Sequence, residues 1–98
     1  MDAAPDPDQP VRIHVSGDLD LHTFLPRDLP DLLPAWFEES RAHGILTVRV
    51  VHGKGTGALR SGVHALLPRL TEHVASWTFP APDAAGGWGA TVVHLKSS

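Results

Sequence analysis

The sequence contains no cysteine, which excludes a disulfide framework and any zinc site built on thiolates. It also lacks long apolar runs: each hydrophobic stretch ends after a few residues, far short of the roughly 20 needed to span a bilayer, and no membrane partner is expected. The opening residues do not run from a basic stretch into an apolar one, the layout of a secretory signal, so the expected setting is cytoplasmic. Charge of one sign is scarce as well. The formal net charge is −3, and Asp2, Asp6 and Asp8 of the opening MDAAPDPDQP account for it. From Val11 onward the eight basic side chains are balanced by eight acidic ones. Without a dominant basic surface, tight indiscriminate binding to nucleic acid is disfavoured.

What is present is one domain's worth of chain, 98 residues, long enough to bury a core without staples. Residues 1–10, small, acidic and punctuated by proline, read as a disordered leader, and residues 11–98 as a single domain. Val11–Val15 alternates and suggests a short edge strand. In Asp18–His22 the leucines Leu19 and Leu21 take one face and Asp18, Asp20 and His22 the other. Between Asp28 and His43, Leu29, Leu32, Leu33, Trp36 and Phe37 recur at helical spacing. Asp28 is the candidate N-cap and Gly44 the stop, and Pro34 requires either a kink or a regular helix beginning at Asp31. Thr47–His52 is a buried strand. A second helix carries Leu59, Val63, Leu66, Leu67 and Leu70, interrupted by Pro68. Val74–Phe79 and Ala90–Leu95 are strands joined by a loop from Pro80 to Gly89.

The order β-α-β-α-β-β predicts an α/β fold: a two-layer sandwich, a mixed four-stranded sheet with both helices on one face. The first three strands are parallel through right-handed crossovers, and the last is antiparallel because a loop precedes it. That arrangement brings His22, the loop after His52 and the Gly86–Thr91 turn to one end of the sheet. Open α/β sheets commonly bind ligands beyond their strand ends.

Three segments there carry chemistry. Asp20 and His22 share a strand face and could activate water or hold a metal. In His52-Gly53-Lys54-Gly55-Thr56-Gly57, closely spaced glycines, a mobile cation and a following helix N-terminus suit an oxyanion such as phosphate. The loop is neither a Walker A nor a Rossmann fingerprint. In Gly86-Gly87-Trp88-Gly89-Ala90-Thr91 the tryptophan either stacks on a base or sugar or closes over the core as a lid. His14, His43, His64, His73 and His94 are taken as structural.

Together, LDLHT at 19–23, HGKGTGALR at 52–60 and GGWGAT at 86–91, in this order and spacing, resemble the small MutS-related (Smr) domain over roughly residues 17–95. The family pattern often has glycine where this chain has Thr23. The resemblance implies a fold like the C-terminal domain of translation initiation factor three. It also implies endonuclease activity, either DNA nicking, selective for structure and linked to DNA repair, or RNA cleavage. The partners would then be DNA or RNA. Asp20, His22, His52 and Lys54 are the expected catalytic residues, with His22 or His52 moving the proton and Lys54 stabilising phosphoryl charge. Substrate contacts are expected from Gly53, Gly55, Thr56, Gly57, Arg60, Gly86, Gly87, Trp88 and Gly89. A divalent ion, Mg or Mn, is a candidate cofactor at Asp20. The alternative is a noncatalytic module that binds the nucleic-acid backbone. A groove carrying Lys54, Arg12 and Arg49 beside Asp20 and His22 would favour the nuclease.

Overall fold

The computed structural model describes residues 17–97; the leader, the Val11–Val15 segment and Arg12 lie outside the described residues. Four strands and two helices follow the expected order: β1 (Asp18–Asp20), α1 (Leu29–Ala42), β2 (Thr47–Val51), α2 (Ala58–Leu66), β3 (Val74–Thr78) and β4 (Ala90–Leu95). Short 3₁₀ turns at Pro26–Asp28, Leu67–Arg69, Asp83–Ala85 and Gly87–Gly89 join them. The sheet order is β1-β2-β4-β3. β1 pairs parallel with β2, and β4 runs antiparallel between β2 and β3.

Alternation decides which side chains face the helices. Leu19 and Leu21, Val48 and Val50, and Val93 and Leu95 form one buried cluster with Leu29, Leu33, Trp36, Phe37, Val63 and Leu67 of the helical layer. Leu66 and Leu70, expected in the core, pack half-buried at its border. On the opposite face, Arg49 spans to Asp18 in a two-pronged ion pair, Nε to Oδ1 and Nη2 to Oδ2, both 3.0 Å.

α1 runs through Pro34 as a single helix. The missing Pro34 donor costs about 3 kcal/mol. Leu29, Leu33, Trp36 and Phe37 are fully buried on its inner face, each worth about 1.5–3 kcal/mol, so packing outweighs the proline. Asp28 does not cap α1 with its side chain; Oδ2 accepts the Leu25 amide instead and closes the preceding 3₁₀ turn (2.8 Å). At the other end, Arg41 ties the layers together. It donates to the carbonyls of Lys96 and Glu72 (both 2.9 Å) and to Nδ1 of His73 (2.9 Å), which must be the unprotonated nitrogen because guanidinium only donates.

β3 contains a bulge that matters for the site. Val74 is opposite Leu95 and Ser76 is opposite His94, so Ala75 is the extra residue. The slip turns Trp77 to the side of Val93, the helix face, and Phe79 two residues on reaches α2.

Candidate functional site

The three motifs meet at the carboxyl ends of β1 and β2. Asp20 is opposite Val51, and the Leu21 amide donates to the Val51 carbonyl (2.9 Å). β4 begins opposite Val51 at Ala90. Just before it, the Gly89 carbonyl accepts the amides of both His52 and Gly53 (3.0 and 2.9 Å). A Cβ on Gly89 would stand 3.5 Å from Lys54 Cγ and 3.7 Å from Gly53 Cα, so the second and third motifs touch backbone to backbone.

The connector from β2 to α2 depends on left-handed backbone at Gly53 (φ +79°) and Gly57 (φ +86°), conformations that L side chains resist. Gly57 opens α2, and a Cβ there would strike Arg60 Nη2 at 2.6 Å, so the Arg60 guanidinium folds back over the loop. The first intrahelical bond runs from Ser61 N to the Gly57 carbonyl (2.8 Å). The amides of Leu59 and Arg60 precede it, which is the arrangement that attracts anions. Thr56 Oγ1 accepts the Ala58 amide (3.3 Å). Lys54 is exposed on this loop.

The two histidines of the motifs have different surroundings. His22 and Asp20 are exposed, their side chains 76% and 60% accessible. Asp20 Oδ1 accepts the His22 amide and faces His22 Nδ1, each at 3.0 Å. These bonds hold the Asp20 carboxyl below the usual carboxylate range. With Nδ1 turned to the carboxylate, Nε2 is the nitrogen left for a ligand.

His52 continues the Val48–Val50 alternation into the helix face and is only 7% exposed. Its Nδ1 lies 3.1 Å from the Gly53 carbonyl and its Nε2 lies 2.9 Å from Thr91 Oγ1, which is also 2.8 Å from His64 Nε2. A carbonyl only accepts, so Nδ1 of His52 carries hydrogen. In neutral His52, Nε2 then accepts the Thr91 hydroxyl proton, and Thr91 Oγ1 accepts N–H from His64 Nε2. The directed chain His64 → Thr91 → His52 → Gly53 carbonyl uses every polar group it contains except His64 Nδ1. Burial lowers the pKa of His52; the Gly53 bond opposes that shift and Arg60 adds to it. Burial lowers that of His64 too, helped by His52 and Arg60. Phe79 closes the cluster, its ring centroid 4.6 Å from His64 and 5.7 Å from His52.

Sequence reasoning did not assign His64, Thr91 and Phe79 to the site. The available signal was register: Thr91 alternates with Val93, and His52 with Val50, toward α2. His64 follows the buried Val63 on that helix. Arg49 is committed to Asp18 and does not provide a free cation beside Asp20.

Asp20 Oδ1 already serves His22, and no group of three or more His, Asp or Glu side chains among the described residues is arranged to hold a metal. Mg²⁺ keeps several of its waters and is held by one or two carboxylates together with substrate phosphates, so Asp20 is the residue that would hold it.

This sheet order and these motifs define the protein's class: the chain belongs to the Smr domain family, whose profile matches residues 19–96. It is 40% identical over 81 residues to endonuclease MutS2 of Lactobacillus johnsonii, covering 83% of this chain and 10% of that protein. To endonuclease MutS2 of Thermomicrobium roseum it is 46% identical over 84 residues, 86% of this chain and 10% of the relative. Its structure matches the Smr domain of Thermus thermophilus MutS2 with a TM-score of 0.72 at 39% identity, covering 81% of this chain and 96% of that one. The fold is also that of Escherichia coli YdaL, a stand-alone small MutS-related protein (TM-score 0.72, 24% identity, 82% and 64% coverage). The chain thus spans about a tenth of the length of the curated relatives it matches. No helix among the described residues is long and apolar enough to cross a membrane.

Proposed function

We propose that this chain is a nucleic-acid endonuclease that hydrolyses phosphodiester bonds at the junction of the three motifs. One observation carries the reading: an exposed carboxylate–imidazole pair and the glycine-rich loop that opens α2 lie side by side at the ends of adjacent parallel strands. Asp20 holds His22 with Nδ1 engaged, so Nε2 takes a proton from the attacking hydroxyl group or water, or returns one to the leaving oxygen. Lys54 and the first amides of α2 offset the charge that builds on the phosphoryl oxygens. His52, with both nitrogens used inside the fold, sets the conformation of Gly53 and is not the proton carrier. The substrate is DNA or RNA and the setting cytoplasmic. A divalent ion, Mg or Mn, held at Asp20 would add to the neutralisation of phosphoryl charge.

A second reading, a module that binds the backbone without cutting it, draws support from the burial of His52 and the pairing of Arg49 with Asp18. Incubation of the purified protein with supercoiled plasmid, branched DNA and RNA, with and without divalent metal, separates the two. Cleavage that His22→Ala abolishes supports the nuclease; binding without cleavage of any of the three supports the module.

A further inference from the structure

Trp88 has a choice that its sequence leaves open: lid on the core or platform in solvent. It is 61% exposed, against 38% for Trp77 and 0% for Trp36. A loose loop does not explain this exposure, because its backbone is pinned on both sides. The Gly87 carbonyl accepts the Ala81 amide (3.0 Å), the Gly89 amide donates to the Gly86 carbonyl (3.0 Å), and the Gly89 carbonyl holds two amides of the His52–Gly53 turn.

The indole is also propped from behind. Phe79 meets it edge-on, with centroids 5.3 Å apart and planes at 83°. Phe79 in turn rests against His64 and lies under the Arg60 guanidinium, 5.9 Å from the ring centre. A rigid, supported aromatic surface left in water suits a ligand with a flat face. The neighbouring chemistry is cationic: Lys54 packs on the Gly89 backbone, one residue from Trp88, and Arg60 flanks the same phenyl ring.

A cation beside an aromatic platform matches the two ends of one nucleotide, phosphate on the loop and base on the indole. Bases inside a continuous duplex are stacked on their neighbours and present no face; a base out of the stack does. We infer that Trp88 is a stacking platform for an unpaired nucleobase whose phosphate lies on the Gly53–Gly57 loop, so that the site takes nucleic acid with a single-stranded or extrahelical base. This inference rests on the proposed nucleic-acid site and adds to it the state of the base.

Its test uses the full 98-residue chain and three labelled duplexes that differ at one position: fully paired, carrying one unpaired thymine, and carrying an abasic sugar in that thymine's place. Affinities of the wild type, Trp88→Ala and Trp88→Phe are read by fluorescence anisotropy, with thermal unfolding confirming that each variant is folded. The wild type should bind the unpaired-base duplex about tenfold more tightly than the abasic one, the scale of base–aromatic stacking. Trp88→Ala should bind those two equally, and Trp88→Phe should keep most of the difference. In a Trp77→Phe background, the unpaired-base duplex should quench indole emission and the abasic duplex should not. The inference is overturned if the wild type does not distinguish base from abasic sugar, if Trp88→Ala still does, or if the wild type binds none of the three. Cleavage is scored separately. Base discrimination through Trp88 with no cleavage by the wild type would sustain the platform and remove the nuclease. Cutting that needs His22 without base discrimination would do the reverse.

Discussion

Two histidines, His22 and His52, stand at the same end of the sheet on adjacent strands, and their environments are opposite. His22 is open to solvent and, among the described residues, tied through its ring only to Asp20. His52 is buried, with Gly53 on one nitrogen and Thr91 on the other. The difference follows from strand parity. His22 lies in line with Asp18 and Asp20, away from the helices, whereas His52 follows Val48 and Val50 toward them. An imidazole that moves protons needs a free nitrogen within reach of substrate. One that fixes a loop needs both nitrogens spent, and each site meets one of these requirements.

The contrast breaks most visibly in cleavage. His22→Ala should lower the single-turnover rate by about 10²–10⁴-fold, the scale of general acid–base catalysis, with little change in unfolding temperature because the side chain is exposed. Next comes Thr91→Val, which keeps shape and removes the hydroxyl shared by the buried His52 ring and the half-buried His64 ring. It leaves His52 Nε2 and the His64 N–H without partners, a loss of about 1–3 kcal/mol, measurable by urea denaturation. Lys54→Ala should weaken oligonucleotide binding and reduce the slope of log affinity against log salt by about one, measured by anisotropy across a salt series.

The smallest effect is a pH dependence of stability. The folded pKa values of His52 and His64 lie below the ordinary value of 6.5, so the unfolded chain takes up protons first on acidification. The contribution of the neutral rings is complete above about pH 6.5 and falls as pH drops from there toward the folded values. Denaturation midpoints in His64→Gln should vary less with pH across that window than in the wild type. An equal slope in the two proteins would mean that His64 is not part of the buried chain.

The fold was legible because its signals are periodic. Alternation at Leu19 and Leu21 and helical spacing at Leu29, Leu33, Trp36 and Phe37 give the layers directly, and the loop before Ala90 gives the antiparallel last strand. The meeting of the three motifs followed from that topology. The buried partners of His52 were harder to read. His64 belongs to the site only because α2 packs over the end of β2, and Phe79 because a bulge at Ala75 changes the facing of β3. Neither packing contact nor bulge leaves a local mark in the sequence. Asp28 does stand at the N-cap of α1, as its sequence position suggests, but the 3₁₀ turn ahead of the helix claims its carboxylate, and buried leucines and aromatics carry the helix past Pro34.

The most direct measurement of the division between the histidines is single-turnover cleavage by His52→Asn. Asparagine can still donate to the Gly53 carbonyl from near the position of Nδ1, while Nε2 and any proton-carrying role are gone. If His52 only sets the loop, this variant should cut within about tenfold of the wild-type rate, well short of the 10²–10⁴-fold loss expected for a proton carrier. A loss on that larger scale, in a protein that remains folded and binds nucleic acid normally, would contradict the account and make His52 the group that moves the proton.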